Sequence, residues 1–437
     1  MSESARLSRR PFHGYYVALV VFLSTGLSIG MAQYSFGEFA GPLREEFGWS
    51  QTQLNLALTF GFISGILAPF VGKLSDSYGT RPVMFVSLLL IATGFALRPL
   101  ISELWHWYLF SSLVYAGFPG ATVLPSGKMV GIWFPDKRGT VMGAVTAGNN
   151  FGGVTMPPLA AAIIAVGSWQ FAYVGFAAIM LMLAFVVLIV VRESEEDVDA
   201  ERARTGRTTL PTGGREGLPG MSLRQASRTS AFWLVMVGLT AASFTYQGVL
   251  TQLRQHFGEN GFEPALATSA VTVIAAMGIG SKLAFGRATE RFSARKATAV
   301  SVAFQSVGLG LMIAPGGVPV MWSGILVFGI GFGGLGALIV LVVQETFGLR
   351  EFGTLMGVFQ MATIIAIAGG PWLAGAVHDR NGSFDAAFAA IIGIFILGAV
   401  ALLIARQPQW DEPPGPATSA QLLANAPKST TVITEQT

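Results

Sequence analysis

The sequence predicts an all-α polytopic membrane protein of twelve transmembrane helices, arranged as two pseudo-symmetric six-helix bundles. Three observations carry that expectation. Only 12% of the 437 residues are charged and 52% are hydrophobic, with mean hydropathy +0.58, whereas a soluble domain carries about 25% charged residues. The apolar residues gather into twelve runs, each close to the roughly 20 residues that a bilayer-spanning helix needs. Short stretches of the first half recur in the second, mostly 214 positions later. The 54 glycines suit helices that pack at close range. The absence of Cys excludes disulfides, thiol chemistry and Cys metal sites.

Taken in order, the polar, basic segment Met1 to Pro11 leads into an apolar run with no small-residue cleavage pattern, so no removable signal peptide is expected. The first six runs start near Tyr15, Thr52, Val83, Trp107, Thr140 and Phe171. Six more start near Phe232, Ala265, Ala297, Val320, Gly353 and Ala387. Arg192 to Arg228 is charged, contains Gly and Pro and lacks an apolar period, which reads as a soluble linker. The tail after Gln407 is rich in Pro, Ala, Ser and Thr and reads as disordered. The expected division is a bundle over 1–192, a linker over 193–229, a bundle over 230–406 and a tail over 407–437. With the N-terminus inside, the inner segments hold 21 basic residues and the outer ones only Arg44, Arg98, Arg254 and Arg380. This asymmetry places both termini and the linker in the cytoplasm, and the chain in the plasma (inner) membrane. Lys128 and Lys282 alone fall inside apolar runs.

The repeats are ordered. Gly72-Lys73-Leu74-Ser75-Asp76-Ser77-Tyr78-Gly79-Thr80-Arg81 has a weaker copy in Gly286 to Arg295, with Glu290 for Asp76 and Ser293 where Gly79 stands. Gly139-Thr140-Val141-Met142-Gly143 is echoed by Gly353-Thr354-Leu355-Met356-Gly357, and Pro157 by Pro371. Leu43-Arg44-Glu45-Glu46-Phe47-Gly48 is echoed by Leu253-Arg254-Gln255-His256-Phe257-Gly258. A six-helix unit duplicated in parallel is a transporter arrangement, with the solute site near mid-membrane between the halves.

The stretch Gly72 to Arg81 resembles the Gly-x-x-x-Asp-x-x-Gly-x-Arg signature of the major facilitator superfamily, and the resemblance covers about residues 12 to 406. It implies that superfamily's fold and a transport function. A narrower resemblance is to the monocarboxylate and oxalate–formate antiporter branch. It rests on His13-Gly14-Tyr15-Tyr16, Tyr34-Ser35-Phe36, Trp133-Phe134-Pro135-Asp136-Lys137-Arg138-Gly139, and Asp379 to Phe384 with Phe388. That branch carries an Arg four residues before the helix-8 Gly, and Lys282 stands four before Gly286. Proton-coupled members often carry an Asp one turn earlier, where this chain has Gly278.

Lys282 is the strongest candidate for a substrate contact. A charge near mid-bilayer costs roughly 2.5–3.5 kcal/mol on the insertion scale, so it needs a cavity or a partner; a lysine snorkelling toward the cytoplasm is the rival reading. Tyr34, Asn149, Asn150, Gln247 and Gln360 are further cavity candidates, against the alternative of interhelical hydrogen bonding. Glu38 is a weak candidate for carrying a proton, near the outer boundary, where an ordinary wetted carboxylate is the alternative. Lys128 reads as snorkelling, with a cavity-lining cation as the rival, and Glu345 as a gate or loop pairing partner. Asp76 reads as pairing with Arg81 and with the end of a helix in the opposite half, a latch on the inner mouth, against the alternative that the charges only anchor the loop at the interface. Gly72 and Gly79 shape that turn, and Glu290 serves a looser second latch.

Gly329-Ile330-Gly331-Phe332-Gly333-Gly334 fits a dinucleotide pattern formally but has no strand–turn–helix context, so it reads as close helix packing. His378 beside Asp379 reads as a solvated helix end, and no catalytic constellation, metal-ligand spacing or nucleic-acid patch stands out. The expected function is secondary active transport of a small organic anion, a monocarboxylate foremost, by alternating access in a monomer, without a cofactor and with a proton as the branch's coupling ion. An exporter of hydrophobic drugs or metabolites on the same fold, and a non-transporting membrane sensor, remain as alternatives. The orientation is checked directly because the chain lacks Cys: a single cysteine replacing Arg215 should react with an impermeant maleimide only after cells are opened, and one replacing Asn381 should react on intact cells.

Overall fold

The computed structural model describes residues 12–193, Val198, 218–314 and 316–409. The expectations for the first eleven residues, for most of the linker and for the tail beyond residue 409 fall outside the described residues. Twelve long helical segments run through the described chain. The first six are α1 (His13–Phe47), α2 (Gln51–Tyr78), α3 (Thr80–Leu97), α4 (Leu104–Ala121 continued by Val123–Trp133), α5 (Arg138–Thr146 continued by Gly148–Val166) and α6 (Trp169–Val190). The second six are α7 (Ser230–Phe244, extended through Thr245–Val249 to Leu253–Glu259), α8 (Pro264–Ala288), α9 (Ala294–Met312), α10 (Gly317–Phe347), α11 (Phe352–Asn381) and α12 (Asp385–Ile404). Seven of them (α1, α2, α3, α6, α10, α11 and α12) are long and apolar enough to cross a membrane on those grounds alone.

Local chemistry explains the boundaries. Ser50 and Gln53 form a reciprocal capping box at the start of α2, and the Ser168, Thr229 and Ser293 hydroxyls cap α6, α7 and α9. Gly79 ends α2 and starts α3 within one residue, at φ +98°, a conformation that side chains resist. α1 and α7 each contain a π-helical turn, Gly30–Tyr34 and Thr245–Val249, at matching places in the two halves. Such turns widen a helix locally and are frequent at functional sites.

The two halves meet unevenly. At the end that carries the linker, one apolar cluster runs continuously through both halves, from Phe12, Trp133 and Met142 to Val343, Phe347 and Phe352. At the opposite end the second half keeps a separate cluster around Phe257, Phe328 and Phe388. The junction rests on two glycine crossings. A Cβ on Gly72 would stand 2.0 Å from the Gly353 carbonyl oxygen, and one on Gly139 would stand 2.0 Å from that of Gly286. Gly72 with Gly286, and Gly139 with Gly353, are equivalent positions 214 apart, so the α2–α11 and α5–α8 crossings are copies of each other. Toward the far end of α11, by contrast, Gly369 and Gly375 face open space. The chain is therefore closed at the linker-bearing end.

One sequence expectation changes here. Arg98, counted among outer-loop cations, is 5% exposed and sits over the rings of Phe95, Trp107 and Tyr173 at 4.4–5.1 Å, donating to Ser111 Oγ; an aromatic box inside the first bundle outcompetes the interface for it. The last part of the linker is ordered. Met221 N donates to Phe347 O and Leu349 N donates to Pro219 O, both at 2.8 Å, and Glu351 accepts from Leu223 N at 2.7 Å. This strap fastens the linker to the α10–α11 connection beside the Gly353 crossing.

Overpacking a tight contact costs about 1–3 kcal/mol. Gly72→Val should therefore shift the balance from the closed toward the open linker-bearing end by roughly 5- to 150-fold. Spin labels at Ser77 and Arg350, both exposed, would report it as a longer distance; an unchanged distribution would show that the glycine crossing does not set the closed state.

Candidate functional site

Lys282 lies on α8, toward the linker-bearing end from its middle, and is 8% exposed. Its ammonium donates to the Thr146 carbonyl oxygen at 3.2 Å and to Asn150 Oδ1, both on α5. Asn150 Nδ2 in turn donates to the Ala275 carbonyl oxygen at 3.2 Å. One side chain of the first half thus grips α8 at two points two turns apart. Among the described residues no carboxylate lies within ion-pair distance of Lys282. The neutral oxygens hold the ammonium in place and leave its charge uncompensated, which favours an anion beside it. Space exists on the same face: a Cβ on Gly278 would find its nearest neighbours, among them Asn150 Nδ2, at 3.8 Å, and one on Gly336 would lie 3.8 Å from Lys282 Cε.

The other cavity candidates divide. Tyr34 sits in the α1 π-turn, 48% exposed, with its ring against Gly153 of α5. Tyr246 of the α7 π-turn lies within electrostatic reach of Tyr34 and edge-on to Phe332 of α10 at 5.8 Å. Asn149 Oδ1 and Gln360 Oε1 are buried without a hydrogen-bond partner among the described residues. Gln247 lies in the α7 π-turn, and its side chain is outside the described residues. Glu38 is exposed on α1 beyond the π-turn. The structure therefore joins Lys282 to Asn150 and sets Tyr34 near Tyr246. Sequence reasoning missed Thr146, which acts through its main-chain oxygen and so carries no side-chain signal. It also missed Tyr246, which the α7 π-turn places, and its ring partner Phe332 of α10.

The junction between the halves at the linker-bearing end is built from charged caps. Both carboxylate oxygens of Asp76 accept from the start of α11: Gly353 N at 3.1 Å, Thr354 N at 2.7 Å and Thr354 Oγ1 at 2.8 Å. A helix N-terminus presents unsatisfied N–H groups and partial positive charge, which a carboxylate satisfies directly. The expected pairing of Asp76 with Arg81 is not what forms; Arg81 is exposed. The cation is Lys128, 3.5 Å from Asp76 Oδ1, 3.0 Å from Glu193 Oε1 and donating to the Ser75 carbonyl oxygen at 2.9 Å. Lys128 is 3% exposed, so the snorkelling reading is corrected too: two carboxylates brought beside the end of α4 hold the ammonium in place of water. Glu193 Oε2 also accepts from Thr80 N at 2.5 Å and so caps α3. The second copy is thinner. Glu290 accepts from Thr140 N of α5 at 3.2 Å, and Glu345 accepts from Ala294 N of α9 at 2.5 Å.

Removing one partner of a buried pair leaves an uncompensated charge and costs about 3–5 kcal/mol. Lys128→Met should lower the thermal midpoint in detergent by that order. The triple change Lys128→Met, Asp76→Asn, Glu193→Gln should recover part of the loss; no recovery would mean that the lysine acts through packing alone.

Comparison with known proteins agrees with this architecture. The family model described as Major Facilitator Superfamily matches residues 21–368 and 253–434. Human monocarboxylate transporter 11 is 27% identical over 395 residues, covering 86% of this chain and 79% of that one. The oxalate:formate antiporter of Oxalobacter formigenes is 23% identical over 394 residues, covering 89% and 91%. The crystal structure of the human organic anion transporter MFSD10 (TETRAN) superposes with TM-score 0.67 at 20% identity, over 90% of this chain and 100% of that one. The chain, with its duplicated six-helix halves and its Asp76-capped junction, belongs to the Major Facilitator Superfamily of membrane transporters.

Proposed function

We propose that this transporter moves a small organic anion, a monocarboxylate foremost, by alternating access. The observation that carries the reading is Lys282: a buried ammonium held between the halves by Thr146 and Asn150, with no carboxylate of the described chain against it. An ammonium has three N–H donors, and these contacts use two. The third is free for a substrate carboxylate, with Asn149, Gln360 and Tyr34 shaping the surroundings. Gln247 is retained as a cavity candidate from its position. The names of the relatives, a monocarboxylate transporter and an oxalate:formate antiporter, point to the same class of solute.

Proton coupling is the expected mode of the branch. Gly278 stands where coupled members carry an Asp, so the proton needs another carrier, for which Glu38 is the weak candidate. The linker-bearing end is read as cytoplasmic from the charge asymmetry, in an inner-membrane monomer divided at 1–192, 193–229, 230–406 and 407–437. On that reading the structure is the outward-facing form, with Asp76, Glu290 and the glycine crossings as the inner gate.

The test is uptake of labelled lactate, pyruvate, formate and oxalate into proteoliposomes. A hydrogen bond to a charged group contributes about 1.5–3 kcal/mol, so Lys282→Gln should lower transport of the accepted acid by roughly 10- to 150-fold. Wild-type rates in that variant would remove the assignment. In the same vesicles an imposed pH gradient should drive uptake if the carrier is a symporter, and internal acid should drive it if the carrier exchanges anions.

A further inference from the structure

The two gates share three equivalent capping positions but not the fourth carboxylate, and the second lacks the cation of the first. In the first, the carboxylates Asp76 and Glu193 cap α11 and α3 at Thr354 and Thr80, with the Lys128 ammonium between them. In the second, Glu290 and Glu345 cap α5 and α9 at Thr140 and Ala294. Thr354 and Thr140, Thr80 and Ala294, and Asp76 and Glu290 are equivalent positions, 214 apart. The equivalent of Lys128 at that spacing is Val342, a fully buried apolar residue. The second pair of carboxylates therefore has no lysine at the position of Lys128.

A cavity of about 250 Å³ lies there instead. It is lined by Glu290, Glu345, Gln344 and Thr289, and by Asp136 and Arg138 on its other wall. Gln344 is 2% exposed, and its Nε2 is committed to the Gly127 carbonyl oxygen of α4 at 2.5 Å. Its Oε1 finds no hydrogen-bond partner among the described residues, and neither does the buried Thr140 hydroxyl beside Glu290. Buried acceptors without donors are rare in native structures.

The charges around the cavity leave a remainder of one. Arg138 interacts with Asp136, and Arg295 with Glu345. Glu290 forms no ion pair among the described residues. Two carboxylates and an orphaned amide oxygen, with one negative charge unbalanced, match the chemistry of a small hard cation carrying a single charge.

We propose that this cavity binds a monovalent inorganic cation, sodium or potassium, held by Glu290, Glu345 and Gln344 Oε1, which does in the second gate what the Lys128 ammonium does in the first. Bound there, the ion joins the end of α8 to α10 and holds Glu290 where it caps the start of α5, which favours the closed linker-bearing end. The site is separate from Lys282 and does not depend on which solute is carried.

The experiment is thermal unfolding of the purified full-length protein in detergent, in sodium, potassium or N-methyl-D-glucamine chloride at equal ionic strength. A ligand that binds only the folded state raises its stability by mass action. The wild-type midpoint should rise by several degrees, saturably, in sodium or potassium, and the rise should vanish in Glu290→Gln and in Glu345→Gln. Val342→Lys should remove the ion dependence while keeping the stability; if that variant does not fold, the glutamine variants carry the test. Equal midpoints in all three salts would overturn the proposal. So would a rise that persists undiminished in Glu290→Gln, or one given only by magnesium or calcium.

Discussion

The structure depends on how closely two pairs of helices can approach. Where α2 crosses α11 and α5 crosses α8, backbone meets backbone, and there is no room for even one Cβ at Gly72 or Gly139. Contact at that range brings the C-terminal end of α2 onto the N-terminal end of α11. Only then can Asp76 reach Gly353 and Thr354 of α11. A carboxylate capping a foreign helix gains from both the orphan N–H groups and the helix dipole. It gains nothing at a separation of a few ångströms more, because hydrogen bonds fall off steeply with distance. Glycine thus acts as a condition for the electrostatics, and the electrostatics make the crossing a two-state contact.

The two crossings have different strengths. At the first, three hydrogen bonds to Asp76 and the Lys128 bridge act together, and Glu193 ties the same ammonium to α3. At the second, Glu290 makes a single bond of 3.2 Å to α5. Opening the linker-bearing end breaks the three Asp76 bonds to α11 and the Glu290 bond to α5, while the Lys128 and Glu193 contacts lie within the first half. The larger barrier lies at α2–α11, and the smaller one at α5–α8 is where a modest ligand energy can change the balance. Lys282 is on α8 at that weaker crossing. A Cβ on Gly143 of α5 would stand 2.5 Å from the Lys282 carbonyl oxygen. The candidate solute contact and the more easily released junction share one stretch of helix.

Much of this was legible in the sequence, and the reasons for the rest are specific. Twelve helices and the duplication follow from apolar run length and from the spacing of the glycine motifs, both local properties. That Asp76 and Glu290 sit at matching turns follows from the same spacing. The choice of cation for Asp76 did not follow. Arg81 is the near neighbour in sequence, while Lys128 comes from α4 and Glu193 from beyond α6, and only the packed bundle brings them together. Lys128 and Arg98 misled for one reason: a charge near a helix end reads as solvated until three-dimensional packing supplies two carboxylates or three aromatic rings. Lys282 was identified because a charge amid apolar residues is conspicuous. Its anchor, the Thr146 carbonyl oxygen, is invisible because every residue has one.

These contacts set a constraint on any transport cycle. The Asn150 side chain spans α8 from Ala275 to Lys282, accepting from the ammonium and donating to the carbonyl. An anion that draws the Lys282 ammonium toward itself weakens one end of that clasp without touching the other. A ligand shifts a conformational equilibrium only by the difference in its affinity for the two states. A carboxylate beside Lys282 has such a difference if the competing oxygens of Thr146 and Asn150 belong to the closed state and move away in the open one. They lie on α5, in the other half, and Lys282 lies on α8. Relative movement of the halves must change that distance, so occupancy of the site and the state of the gate cannot be independent.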